Sequence, residues 1–177
     1  MQREFDDELD RMDELEAEEE RDLSEAVSIN DPISSLNLSK PILLNVDDSL
    51  ESMIQELQLK SMGCVLINRD SRLAGIITER DILLKITGKG IDLNNETLRN
   101  YMTENPESLR LEDPIAFALN KMYVGGFRHV PITDDSDTAV GVISLVDIVS
   151  YISTFFSQEV LNLPPNPQGS FDRPEGG

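Results

Sequence analysis

Two short phrases hold the residue types best suited to chemistry. Residues 75–83 read GIITERDIL and residues 141–149 read GVISLVDIV. Each sets a glycine, two β-branched residues, a hydroxyl (Thr78, Ser144), two variable positions and an aspartate (Asp81, Asp147) in one order. A hydroxyl three residues ahead of a carboxylate, at a strand-to-helix junction, forms a capping box worth about 1 kcal/mol. The same atoms suit a binding site. A helix N-terminus presents unpaired amides to an anion, and a carboxylate beside it can accept both hydroxyls of a ribose. The glycine lets a neighbour or a ligand approach the backbone closely. Capping accounts for either phrase alone; their recurrence in matched register favours a site.

A phosphate also needs positive charge. The stretch GFRHVPI places Arg128 and His129 side by side, two residues before Pro131. The corresponding first-copy stretch, SMGCVLI at 61–67, carries no base, and Arg80 is the residue able to compensate at one cleft. Two unequal sites are the expectation. There is no GxxxxGK[ST] loop, no Cys/His cluster and no nucleophile–base pair, so no catalytic residue, no metal site and no enzyme activity is expected.

Positioning these phrases requires a repeat. Pro41–Leu50 matches Pro106–Ile115 at an offset of 65, which grows to 66 by the Gly75/Gly141 phrase. Each copy reads as a strand (42–46; 108–111), a helix, two strands joined by a polar turn, and a closing helix (79–87; 145–157). A short lead-in helix precedes each (32–37; 95–102). Asp48 with Glu51 reads as a capping box, Pro114 as a first helical residue, and Gly63 and Gly125-Gly126 as helix stops. The fold class is α+β: two β-α-β-β-α repeats, 29–92 and 93–157, packed with pseudo-two-fold symmetry into one module. Each half, with three short strands and one open face, is marginal alone.

Composition bounds the partners. The chain has 177 residues and a net charge of −19, which argues against nucleic acid and against an anionic membrane face. Residues 1–25 hold 13 Asp/Glu against three Arg. Segment 1–28 reads as an acidic extension with a thin helical stripe of Phe5, Leu9, Met12 and Leu15. The tail, 158–177, is rich in Pro and Gly and reads as disordered. Cys64 is the only cysteine, which fits a reducing compartment. The acidic N-terminus does not read as a signal peptide, and no apolar run nears the ~20 residues that span a bilayer; a cytoplasmic protein is expected.

The middle of the chain resembles a tandem pair of cystathionine-β-synthase (CBS) domains, a Bateman module. The resemblance rests on YMTENP at 101–106, on Gly75, Thr78 and Asp81, and on Gly141, Ser144 and Asp147. It implies a regulatory protein that binds AMP, ADP or ATP between the repeats, with S-adenosylmethionine or NAD as further possibilities and Mg²⁺ only with a triphosphate. It implies Asp81 and Asp147 on ribose, Thr78 and Ser144 on ribose or phosphate, and Arg128 and His129 on phosphate. The base is implied near Ser39–Ile42 and near Thr103–Pro106. It also implies a homodimer, with Tyr151, Phe155 and Phe156 as a candidate contact, and output on a separate protein target. The other expectation is an interaction module whose clefts bind nothing, acting through its acidic arm and tail.

Overall fold

The repetition in sequence becomes a repetition of hydrogen bonds. The computed structural model of the protein describes residues 29–155. The acidic extension at 1–28, Phe156 and the tail at 158–177 lie outside the described residues. Residues Ile29–Ile148 form one compact unit, and the helical turns after it belong to a second unit.

The first copy contains a 3-10 turn (Ile33–Ser35), β1 (Leu43–Asn45), α1 (Leu50–Lys60), β2 (Cys64–Arg69) and β3 (Arg72–Thr78). It closes with α2 (Glu79–Asp81), which runs into a π-helical turn (Ile82–Ile86). The second contains a 3-10 turn (Leu98–Asn100), β4 (Thr103–Glu104), α3 (Ile115–Gly125), β5 (His129–Thr133), β6 (Ala139–Ser144) and α4 (Leu145–Phe155). The β-α-β-β-α order therefore holds in the first copy.

The second copy loses its opening strand. Over 108–111 only a single parallel bridge remains, Leu109 to Ile132. In the first copy the Leu66 amide donates to the Ile42 carbonyl (2.9 Å). The equivalent donor, 65 residues on, is Pro131, which has no N–H, and the ladder cannot extend.

The caps differ from expectation as well. Ser49, not Asp48, caps α1, its Oγ accepting from the Ser52 amide at 3.2 Å. Pro114 is the N-cap residue of α3, with ψ 143°, rather than its first helical residue. Asp48 and Asp113 instead accept from the amides of Asn45 and Arg110, each at 2.7 Å, and close the turn before each helix. α1 stops at Ser61, in the left-handed region at φ 51°, ahead of Gly63. The expected lead-in helices shrink to 3-10 turns, and the helix over 79–87 is part α, part π.

Each lead-in docks on the other copy. Ile33 N donates to Asp113 O and Ser34 N to Leu111 O; their counterparts are Leu98 N to Asp48 O and Arg99 N to Val46 O. Reciprocally, Ile115 N reaches Asp31 O, and Leu50 N reaches Glu96 O. The first core, built on Ile42, Val46, Leu50, Met53, Leu57, Val65, Ile67 and Ile77, is completed by Leu98 and Met102 from the second lead-in. β4 adds to the β1-β2-β3 sheet antiparallel to β3, with Ile76 opposite Thr103, and Ser39 bridges Val142 on the other side. Cys64, Leu66 and Ile76 meet Ala139 and Val142 between the sheets.

Gly75 serves this packing rather than a ligand. A Cβ there would overlap Met102 Sδ, while one at Gly141 would lie 3.4 Å from Leu38 Cδ1. Cys64 is buried, and burial with the charge of Glu79 pushes its thiol up to about 12. It is a core side chain, not a reactive one.

Candidate functional site

Both repeated phrases fold into the same closed cap. Thr78 gives its amide and hydroxyl to Asp81 Oδ2 at 2.9 and 2.7 Å, and the Asp81 amide returns to Thr78 Oγ1 at 3.3 Å. Ser144 and Asp147 repeat this at 2.7, 2.7 and 3.2 Å. The first amide of each helix is occupied too: Glu79 N bonds Gly63 O, and Leu145 N bonds Arg128 O, both at 3.0 Å. The expected cradle of unpaired amides is therefore largely consumed by the fold, and charge for an anion must come from side chains.

Those side chains converge at one place. A cavity of about 330 Å³ is lined by Gly63, Thr78, Glu79 and Arg80 from the first copy and by Gly126, Phe127, Arg128 and His129 from the second. An adjoining space of about 250 Å³ is lined by Ile76, Thr103–Glu107, Phe127, His129 and Pro131. Phe127 and His129 are common to both. Ile76 and Thr78 lie two apart on β3 and so share a face. Together they make a cleft with a charged end and a largely apolar end.

Thr78, Arg80, Arg128, His129, Thr103 and Pro131 are brought together here, and Asp81 adjoins through its bonds to Thr78. Asp81, Ser144 and Asp147 line neither cavity, and Ser144 is the strand partner of His129, which lines both. Arg80, the residue expected to compensate at one cleft for the missing first-copy base, stands in the same cavity as Arg128. The reason is the pseudo-two-fold arrangement, which sets the end of β3 from one copy against the start of β5 from the other.

The electrostatics of the charged end are mixed. Burial lowers the His129 pKa below its ordinary value, and Arg128 adds to this; Glu79 and Asp147 oppose. Burial pushes the Asp81 carboxyl up, but hydrogen bonds from Lys85 and from the Thr78 hydroxyl and amide, with the charge of Lys85, leave it below its usual value. Lys85 Nζ lies 2.9 Å from Asp81 Oδ1.

Sequence reasoning missed Glu79, Phe127, Lys85 and the use of Gly63. A Cβ at Gly63 would sit 3.2 Å from two ring atoms of His129, so the baseless first-copy position makes room for the second copy's imidazole. Lys85 was legible as an i, i+4 partner of Asp81. Among the described residues no group of His, Cys, Asp and Glu could hold a metal ion, and no helix is long and apolar enough to cross a membrane.

Two α+β repeats that exchange their lead-ins around a shared cleft define a tandem-repeat module. The chain belongs to the CBS domain family, which matches residues 33–88 and 98–154. Among curated proteins it is similar to the CBS domain-containing protein CBSCBSPB1 of Arabidopsis thaliana, 26% identical over 110 residues, covering 62% of this chain and 20% of that one. An uncharacterized 17.7 kDa protein of Acidianus ambivalens is 27% identical over 117 residues, covering 66% and 70%. The chain thus spans about a fifth of the length of the Arabidopsis relative. Among solved structures, the CBS domain pair of protein MJ0100 in complex with 5′-methylthioadenosine and S-adenosyl-L-methionine has a TM-score of 0.56 at 28% identity, covering 64% of this chain and 93% of that one. The CBS domain protein PAE2072 of Pyrobaculum aerophilum, complexed with AMP, has a TM-score of 0.61 at 23% identity, covering 70% and 98%.

Proposed function

We propose that this chain is a regulatory module, not an enzyme, that binds an adenine nucleotide in the cleft between its repeats. AMP, ADP or ATP would place phosphate against Arg80, Arg128 and His129, and Mg²⁺ would enter only with a triphosphate. The base would lie between Ile76, Thr103–Pro106 and Pro131, and Asp81 would supply the carboxylate for ribose. The observation that carries this reading is the convergence of two arginines, one from each repeat, on one cavity that continues into an apolar slot. Adenine-containing ligands in structures of similar fold support the ligand class. The symmetry-related site of Ser144 and Asp147 would be the weaker of the two.

Output would pass through dimerisation or docking to a protein target. Exposed apolar side chains support this: Leu83 and Leu84 on the π turn, and Phe117, Tyr123 and Val124 on α3. The test is thermal melting with AMP, ADP, ATP, NAD and S-adenosylmethionine, each well above a plausible Kd. A ligand at 100 times its Kd stabilises by about 2.7 kcal/mol. No shift with any of them would sink this reading.

A second reading has an observation in its favour. The closed caps at Thr78/Asp81 and Ser144/Asp147 account for both phrases with no ligand. On that reading the protein is an interaction module acting through its acidic arm and tail, and every ligand leaves its melting unchanged.

A further inference from the structure

We propose that Lys85 sets how strongly the Asp81 cleft reads a ribose. The inference rests on the nucleotide reading above and concerns that cleft alone. Lys85 Nζ donates to Asp81 Oδ1 at 2.9 Å and to the Tyr101 carbonyl at 2.7 Å. Asp81 Oδ2 already accepts from the amide and hydroxyl of Thr78. Three donors therefore engage one carboxylate, and one of them is charged. A ribose diol offers two hydroxyl donors. It meets an acceptor whose strongest demand is met, because a bond from an ammonium exceeds one from a neutral hydroxyl. The diol must displace Lys85 or share with it.

The other copy carries no lysine at this position. Asp147 is bonded to Ser144 through Oδ2 as Asp81 is to Thr78. The position equivalent to Lys85 is Tyr151, and among the described residues no lysine or arginine forms an ion pair with Asp147. The cap is thus complete without the lysine, so Lys85 serves something other than the cap.

Its second contact says what. Tyr101 precedes Met102, which packs against Gly75, and Thr103, which lines the base slot. Lys85 joins the ribose acceptor to the segment that forms the base slot. Its side chain keeps 39% of its exposure against 18% for Asp81, so the ammonium has water to move into. The cleft then selects ligands chiefly by phosphate and base, with the sugar hydroxyls held at a discount.

Calorimetric titration of the full chain with AMP and with 3′-deoxy-AMP reads this directly. The wild type should bind the two within about threefold. Lys85→Met should bind AMP several-fold tighter and prefer it over the deoxy ligand by about tenfold, the worth of one hydrogen bond to a charged acceptor. Lys85→Gln keeps a donor for the Tyr101 carbonyl and should shift the same way, which guards against a packing defect in the Met variant. Lys85→Arg should keep the wild-type ratio. An unchanged ratio in both uncharged variants, or weaker AMP binding in both, overturns the role of Lys85. AMP bound by neither wild type nor variant overturns the nucleotide reading itself.

Discussion

At the scale of single residues, charge and capping divide the work. Thr78, Asp81, Ser144 and Asp147 stand where their spacing indicated, and all four are committed to caps. Arg80 and Arg128 are exposed side chains. Alanine at either should weaken AMP binding by about 10- to 100-fold, the loss of one charge-assisted hydrogen bond, while the ligand-free melting temperature stays within error. His129 carries a pH dependence. The folded protein holds its pKa below the ordinary 6.5, chiefly by burial, so below that value the unfolded chain takes up the proton more readily. Stability should therefore fall as pH drops through about 6.5 toward the folded value. Melting between about pH 7.5 and 5.5 should show a shallower slope for His129→Gln; an identical slope would contradict this. The aspartates were legible because a capping phrase is local. The meeting of Arg80 with Arg128 was not, because it depends on which strand end faces which across the pseudo-axis.

At the scale of elements, the apolar pattern and the turns revealed nearly every strand and helix, and the misses have local causes. Pro131 reads as an ordinary strand residue, yet its missing N–H reduces the partner strand near Leu109 to one bridge. Asp48 and Asp113 look like helix caps, but each serves the turn one step earlier, and Ser49 and Pro114 take the cap position. Hydrogen-bond partners of this kind lie within three residues of one another, and composition cannot choose between them. The glycines are a sharper case. Both head the repeated phrase, yet Gly75 faces the sulfur of Met102 and Gly141 only the end of Leu38. Gly75→Ala should destabilise by about 1–3 kcal/mol through overpacking. Gly141→Ala should cost clearly less, because the end of Leu38 can give way. Urea denaturation of the two variants measures the difference, and equal costs would show that the lead-in yields as readily on both sides.

At the scale of the whole described unit, the exchange of lead-ins is the organising fact. The offset of 65 is plain in the sequence, but it cannot say whether a lead-in docks on its own copy or the other, since the two surfaces are alike. The structure chooses the other: Leu98 and Met102 finish the first core. A fragment of residues 29–92, a repeat by sequence, should therefore melt without cooperativity, while residues 41–104, which carry both side chains, should retain a measurable transition by circular dichroism. The end of β3 facing the start of β5 gathers Arg80 and Arg128 at one cavity. Calorimetric titration with AMP tests that most directly. The account predicts one dominant site per chain, lost in the Arg80→Ala/Arg128→Ala double variant and retained in Asp147→Asn. Binding that survives the loss of both arginines but fails in Asp147→Asn would place the ligand in the opposite cleft and contradict it.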